Sequence, residues 1–474
     1  MRVWGFGGLE EIGGNKFYLE SRGEGVFLDF GISYSARRRF FGWVLRPKRY
    51  ALLASLLASG SIPPIRNLYD EELSDPTGLV EEMLQKSPEL DVQGVIVSHP
   101  HSDHLGHISL LKKEIPIYLG IASFKIARTK ELSKPNRTVE EKIFIDGERE
   151  VNLFKTGQKP KIGVFEVRPV HVDHSVPGSY GLIVHSPEGS LAYSGDLRLH
   201  GPKKSFTEEF IQTVVSEGVD VLLLEGTRIE EEENVTESDV KRGLASTISG
   251  RRGLVAVLTG LLDYDRFSSI ASASKSANRK ILVSPRMALM LETFHSLGVT
   301  PKELLPGEGL VEVLFERKGS GRLESQDYHG REKEYLEKIL DRGIPLRADL
   351  DISSHQERYT IVLNSPDDVL DLLPIRPADD SIFIYSTSEP HTEEQEIDRE
   401  RVENWLNLMN MRSIQVHASG HANREELGYV LSETRPRRVI PIHTEKPQLF
   451  QDLLAKFSPS SKLINAAPRI PTVI

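Results

Sequence analysis

Between Ser98 and His107 the chain reads Ser-His-Pro-His-Ser-Asp-His-Leu-Gly-His, which sets His99, His101, Asp103 and His104 at the spacing H-x-H-x-D-H. Neutral imidazole and carboxylate are the ligands that suit Zn²⁺ and its first-row neighbours. Two adjacent metals can be served from one such turn, with His99 and His101 on one and Asp103 and His104 on the other. A lone histidine would read as ordinary loop polarity. Four of the chain's fifteen histidines fall within these ten residues with an aspartate in register, and that points to a metal site.

The elements that must position these ligands are legible around them. The apolar run Gly94-Val95-Ile96-Val97 just before the cluster reads as a buried strand, so the ligands emerge from its C-terminal end. The same scheme recurs along the chain. Val26-Phe27-Leu28 ends in Asp29-Phe30-Gly31, where the aspartate is either a turn former or a support for a metal ligand. Val164–Val170 delivers His171 and His174; Leu191-Ala192-Tyr193 runs into Ser194-Gly195-Asp196; Val221–Leu224 ends at Glu225. Far downstream, Ile414-Gln415-Val416 leads to His417, Ser419, Gly420 and His421, and Val439–Ile442 leads to His443. Histidines and acids recurring at strand ends from distant parts of the chain predict one shared site. Alternating strand and helix signals predict a layered α/β architecture. Leu105 to Lys113 is expected to be a short helix and Ile115–Leu119 the next strand.

Composition bounds the rest. The chain has 474 residues with 59 Lys+Arg against 69 Asp+Glu, a net charge of −10, so any polyanion binding needs a local basic surface. Zero cysteines exclude disulfides and thiolate ligands, leaving metals to His and carboxylates. The start Met1–Phe6 lacks the apolar core of a signal peptide, and Ala51–Ala58 is far too short to span a bilayer, so a cytoplasmic protein with no membrane contact is expected. Gly5 to Gly14 is glycine-rich, yet Phe17-Tyr18-Leu19 follows as a strand rather than a helix, which favours tight turns over a phosphate loop.

Residues 34–70 are unusual. Arg37, Arg38, Arg39, Arg46, Lys48 and Arg49 alternate with Tyr34, Phe40, Phe41, Trp43 and Tyr50. Basic residues interleaved with aromatics suit a polyanion with stackable bases. They equally suit aromatic packing or a partner subunit, which leaves a homodimer as an alternative. Glu230 to Glu233 is an acidic run and Thr236 a helix cap; from there to about residue 410 the chain makes its own strand–helix alternation.

Taken together, these motifs resemble the metallo-β-lactamase superfamily, in its β-CASP branch of nucleases, and within that branch the ribonuclease J family. Asp29 matches the first superfamily motif, His99-x-His101-x-Asp103-His104 the second, His174 in His-Ser-Val-Pro-Gly the third and Asp196 the fourth. Glu225, His421 in Ser-Gly-His-Ala and His443 in Pro-Ile-His match the branch's motifs A, B and C. The resemblance implies a four-layer αβ/βα sandwich from residues 1–228 and 411–474, interrupted by an inserted α/β β-CASP domain over 229–410. It implies two Zn²⁺ ions (Mn²⁺ being the alternative), with His99, His101 and His174 on one, Asp103, His104 and His443 on the other, and Asp196 bridging. His174 is preferred to His171 because it sits directly before Ser-Val-Pro-Gly, as in the family. The implied activity is hydrolysis of single-stranded RNA, endo or exo, leaving 5′-phosphate and 3′-hydroxyl. Asp103, His421 and Glu225 are the expected catalytic residues, and Ser419, Gly420, Arg37 and Arg38 the expected substrate contacts. A dinuclear-zinc small-molecule hydrolase and an inactive RNA-processing scaffold are the competing readings. The sequence departs from the family in segment 34–70, in reading Glu-Gly-Thr at motif A, and in ending at Ile474, where bacterial members continue into a C-terminal domain.

Overall fold

The computed structural model describes residues 1–42, 44–134, 138–144, 149–233, 235–390 and 393–474, and the side chains of all of these except Arg331 and Glu393. Trp43 therefore lies outside the described residues. Among the described residues, three seven-stranded sheets organise the fold. The first runs, in spatial order, Thr472–Val473, Arg2–Gly7, Lys16–Ser21, Glu24–Leu28, Val92–Val97, Ile117–Gly120 and Val151–Phe154. The second runs Lys462–Leu463, Arg438–Ile442, Val221–Glu225, Gly189–Tyr193, Tyr180–Ser186, Phe165–His171 and Lys161–Ile162. These two sheets pack face to face through Val3, Phe17, Leu28, Ile96, Phe165, Leu182, Tyr193 and Leu223. Helices cover the outer faces. Leu52–Ala58 and Leu79–Leu84 lie over the first sheet, and Lys204–Ser216, Arg424–Thr434 and Phe450–Phe457 over the second. Burial on both faces explains why the central strands read as unbroken apolar runs rather than alternating ones. The result is the expected four-layer sandwich.

The third sheet is wholly parallel, in the order Leu346–Arg347, Val311–Leu314, Lys280–Val283, Tyr359–Leu363, Val255–Leu258, Ile382–Tyr385 and Arg412–Gln415. Helices Glu237–Ile248, Tyr264–Ser276 and Pro285–Ser296 close one of its faces, and Glu393–Leu408 helps to close the other. Thr236 caps the first of these helices as its sequence suggests, accepting a hydrogen bond from the Asp239 amide. The chain leaves this sheet after Gln415, beyond the expected boundary at 410.

Two local expectations change. Leu105–Lys113 is not one helix: a single turn spans Ser102–Leu105 and a 3₁₀ turn Ile108–Leu110. The reason is main-chain pairing with the first sheet's loops, since Phe30, Ile32 and Asn15 amides donate to the carbonyls of His104, Ser102 and Asp103. Segment 34–70 divides in two. Leu52, Leu53, Leu56, Leu57, Ile62 and Ile65 are buried in the core over the first sheet, whereas Tyr34, Phe40 and Tyr50 stay exposed. No helix among the described residues is long and apolar enough to cross a membrane.

Candidate metal centre

Strands Glu24–Leu28 and Val92–Val97 are parallel neighbours in one sheet, and Gly189–Tyr193, Val221–Glu225 and Arg438–Ile442 are parallel neighbours in the other. Their C-terminal ends meet at one edge of the sandwich, where ligands of open α/β sheets gather. Asp29, the 99–104 turn, Asp196, Glu225 and His443 all follow or end these strands. His174 arrives in the turn after Phe165–His171, and His421 in the turn that leaves the third sheet.

Three imidazole nitrogens converge first. His101 Nδ1 lies 3.1 Å from His99 Nε2 and 3.2 Å from His174 Nε2. Nitrogens that share a tetrahedral zinc at about 2.0–2.1 Å stand about 3.3 Å apart, so the spacing suits one ion. A second group holds Asp103, His104, His443 and Asp196. His443 Nε2 is 3.3 Å from Asp103 Oδ2, and His104 Nε2 is 3.2 Å from Asp196 Oδ2. Asp196 belongs to both groups: its Oδ2 is also 3.4 Å from His99 Nε2 and 3.8 Å from His174 Nε2.

The opposite ring nitrogens fix the tautomers. His104 Nδ1 donates to Asp29 Oδ2 at 2.7 Å. Ser98 Oγ donates to Asp29 at 2.8 Å and so accepts from His99 Nδ1 at 3.0 Å. His174 Nδ1 donates to the Gly420 carbonyl at 2.6 Å. Thr227 Oγ1 donates to the His443 carbonyl and accepts from His443 Nδ1 at 2.8 Å. Each arrangement leaves Nε2 with its lone pair facing the centre, as metal-bound histidines require. Asp29 thus acts as a supporting carboxylate, with Tyr193 OH donating to it at 2.5 Å, and it also turns the chain with a left-handed φ of 59°.

Electrostatics and unmet polarity agree that the site calls for cations. His104 Nε2 and Asp196 Oδ1 are buried with no hydrogen-bond partner among the described residues. Burial holds His99 and His174 well below the ordinary histidine pKa and takes His101 to about 4, so these rings are neutral and able to offer lone pairs to a metal. His104 behaves oppositely. Burial opposes its charge, yet Asp196, Asp103 and Asp29 together raise its pKa well above the ordinary value. Three carboxylates drawing a proton into a buried cluster will draw a metal dication more strongly.

His421 stands beside the centre. Its Nδ1 is 3.2 Å from Glu225 Oε1 and 4.0 Å from Asp196 Oδ2, and its side chain is 20% exposed where His99, His104, His174 and His443 are nearly closed off. Glu225 is held by the amides of Leu197 and Thr227. The turn carrying His421 is itself clamped. Arg198 Nη1 and His200 Nε2 both donate to the Ser419 carbonyl, Ser419 Oγ accepts from the His421 amide, and Arg198 also pairs with Asp173 and with Asp265 of the inserted layer. Ser419 and Gly420, expected as substrate contacts, thus spend their carbonyls on positioning this turn.

Four other histidines lie elsewhere. His171 stacks on Tyr180 and Phe206, outside both ligand groups. His107 meets Glu140, His200 meets Glu426, and Arg266 donates to His417. Arg37 is tied to Glu140 by two hydrogen bonds of 3.1 and 3.3 Å, and Arg38 lines a cavity beside the metal-ligand turn. Sequence reading missed Ser98, Tyr193 and Thr227. Each lies within three positions of a recognised motif residue, and that proximity was the available signal.

Close packing locks the 99–104 turn. A Cβ on Gly31 would fall 1.7 Å from the Asp103 carbonyl oxygen and 2.4 Å from the His104 nitrogen, both backbone atoms. Gly31→Ala is therefore expected to destabilise the protein by about 3 kcal/mol or more and to release metal, because backbone cannot yield as a side-chain tip can. Urea unfolding of the purified variant checks this.

Comparison with known proteins agrees with the geometry. Residues 77–259 match the Beta-lactamase superfamily domain, and residues 408–460 the Zn-dependent metallo-hydrolase RNA specificity domain. Ribonuclease J of Sinorhizobium meliloti is 24% identical over 76% of this chain, which spans 59% of that protein's length. Ribonuclease J of Pyrococcus abyssi is 24% identical over 94% of this chain and 90% of its own. That of Mycoplasma genitalium is 22% identical over 94% of this chain and 68% of its own. A crystal structure of a protein of unknown function from Enterococcus faecalis V583 superposes with a TM-score of 0.74 at 20% identity, covering 100% of this chain and 99% of that one. With both domains matched around one cluster of histidines and aspartates, the chain combines a metallo-β-lactamase domain with the RNA specificity domain of the β-CASP branch, as its ribonuclease J relatives do.

Proposed function

We propose that this protein is a zinc-dependent ribonuclease that hydrolyses phosphodiester bonds of single-stranded RNA, endo or exo, leaving a 5′-phosphate and a 3′-hydroxyl. The observation that carries this reading is the pair of ligand groups sharing Asp196, with the Glu225–His421 pair at their open side. Its RNA substrate is supported by the RNA specificity domain and by the relatives named ribonuclease J.

His99, His101 and His174 would hold one zinc ion, Asp103, His104 and His443 the other, and Asp196 would bridge. When bound, the two ions supply Lewis acidity, activating water and taking up charge on the phosphate oxygens. The chain's own residues do the rest. Asp29, Ser98 and Thr227 orient the ligand rings, and Asp103 and Asp196 supply the negative charge that retains two dications. Glu225 fixes His421 Nδ1, which leaves Nε2 to hand a proton to the departing 3′-oxygen.

End-labelled single-stranded RNA incubated with and without a chelator tests the activity. Cleavage to 5′-phosphorylated products that the chelator abolishes is expected; intact RNA in a zinc-replete preparation would refute it. Elemental analysis should give two zinc equivalents per chain, and His443→Ala should leave about one, since the three-histidine group keeps its ligands. One equivalent or none in the metal-replete parent protein would overturn the two-ion assignment.

A further inference from the structure

Beside the 99–104 turn lies a cavity of about 850 Å³, walled by residues of 34–42 and 45–52, by the helix Ile121–Leu132 with Lys134 and residues 138–144, and by Arg286 of the inserted layer. Its walls carry eight Lys or Arg side chains against four Glu, in a chain whose net charge is −10. Three of those acids are already engaged. Glu140 is bound by Arg37 and His107, Glu141 by Lys134 and the Thr138 amide, and Glu131 accepts from the Phe144 amide.

Two cations are left over at the end nearest the metal centre. Lys130 Nζ donates to Ser102 Oγ at 2.8 Å, one residue from Asp103, and Arg286 Nε donates to Ser133 Oγ at 3.3 Å. Among the described residues neither forms an ion pair. Burial, and then the neighbouring Arg286 charge, lower the Lys130 pKa; burial lowers that of Arg286. Glu141 bears on both charges from the same wall without bonding to either, and half-buried like charges with no carboxylate in contact are costly unless an anion joins them. The two come from different layers, Lys130 from the sandwich and Arg286 from the inserted sheet. Thr129 and Thr293, 2.8 Å apart on the helices that bear these cations, hold those helices in register. Arg49, Lys142 and Phe144 are shared with a second cavity of about 880 Å³, where Tyr50, Phe124, Arg128 and Arg149 line the wall.

We infer that this cavity is a backbone track for the RNA strand on the Asp103 side of the metal centre, with Lys130 and Arg286 as its phosphate clamp and the second cavity as the continuation where bases meet Tyr50 and Phe124. The inference rests on the ribonuclease reading and deepens it. Phosphate is the anion that fits two convergent cations, and aromatic faces further along accept bases of any sequence.

The test compares two substrates in the zinc-loaded enzyme: a short single-stranded RNA and bis-p-nitrophenyl phosphate, which reaches only the metal centre. Lys130→Gln and Arg286→Gln are each expected to raise KM for RNA roughly tenfold, the usual loss for one charged hydrogen bond. Each should also reduce the steepness of its log–log salt dependence by about 0.7. Turnover of bis-p-nitrophenyl phosphate should stay unchanged, and Lys130→Arg should keep the parent KM. A double Gln variant with parental KM and salt slope overturns the clamp. So does a variant that loses bis-p-nitrophenyl phosphate turnover, because the pair would then be propping the ligand turn. A parent enzyme that cleaves bis-p-nitrophenyl phosphate but not RNA instead refutes the ribonuclease reading, and the clamp with it.

Discussion

Asp196→Asn is expected to cost the protein both metal ions and to lower turnover by roughly 10⁴-fold or more, the product of two electrostatic losses of about 10²–10³ each. Asp196 is 2% exposed and is the one carboxylate shared by the two ligand groups. Burial by itself would raise its pKa, but His104, His443, His421 and His99 outweigh that and hold it well below the ordinary value. It is thus an anion that the cluster is built around. The amide isostere keeps the shape, yet it removes the charge and turns one donor toward lone pairs that should face a cation. Asp103 would then be the remaining carboxylate ligand. By contrast Asp29→Asn, which alters only the support behind His104, should weaken metal affinity by about 10–100-fold without abolishing it. Elemental analysis of both variants, with RNA hydrolysis measured at increasing zinc, separates them. Two retained equivalents in Asp196→Asn with near-parental turnover would refute the bridging role. Circular dichroism should show the same secondary structure, because the Asp196 side chain supports no backbone hydrogen bond.

The candidate ligand set was legible because its positions follow from strand ends. Val95, Ile96 and Val97 are completely buried between layers, so the sequence had to be apolar up to Val97 and polar at once after it. The same rule exposed Asp196 after Tyr193 and His443 after Ile442. What the pattern could not give is which side chains stand behind the ligands. Thr227 and Tyr193 reach His443 and Asp29 across sheet positions that no local periodicity encodes. The basic-aromatic segment shows the limit from the other direction. Its composition suited a polyanion and aromatic packing equally, and the segment divides between them: Leu52, Leu53, Leu56 and Leu57 are core, while Tyr34, Arg37, Arg38, Phe41, Arg46 and Arg49 line the cavity. Arg37, singled out for its charge, is spent on Glu140. Lys130 and Arg286 were invisible in sequence, since a cation on a helix reads as solvated until the fold turns it toward a cavity whose walls carry more cations than acids.

His421→Ala is expected to lower RNA turnover by roughly 10²–10⁴-fold, the usual range for a general acid, with both zinc equivalents kept. The ring contributes to neither main ligand group, so its loss leaves the three-histidine and the Asp103–His104–His443 sets whole. Its pKa bears on the role. Burial pulls the imidazolium down, but Glu225 and then Asp196 more than compensate and bring His421 to about 9. A proton donor must be charged to act, so activity should persist through neutrality and fall as pH rises through that value. Glu225→Gln removes the largest of the raising influences, and the alkaline limb should move to lower pH while activity in mildly acidic buffer is largely retained. Glu225 and His421 also join the sheet end Val221–Glu225 to the turn leaving the third sheet, and a purely bracing role would give a different result: both variants would melt earlier, with no displacement of the limb. A substrate carrying sulfur in place of the bridging 3′-oxygen discriminates further, because a thiolate leaves without a proton. On that substrate His421→Ala should recover most of the parental rate. An equally large defect on both substrates would show that His421 does not protonate the leaving oxygen and would return the Glu225–His421 pair to architecture.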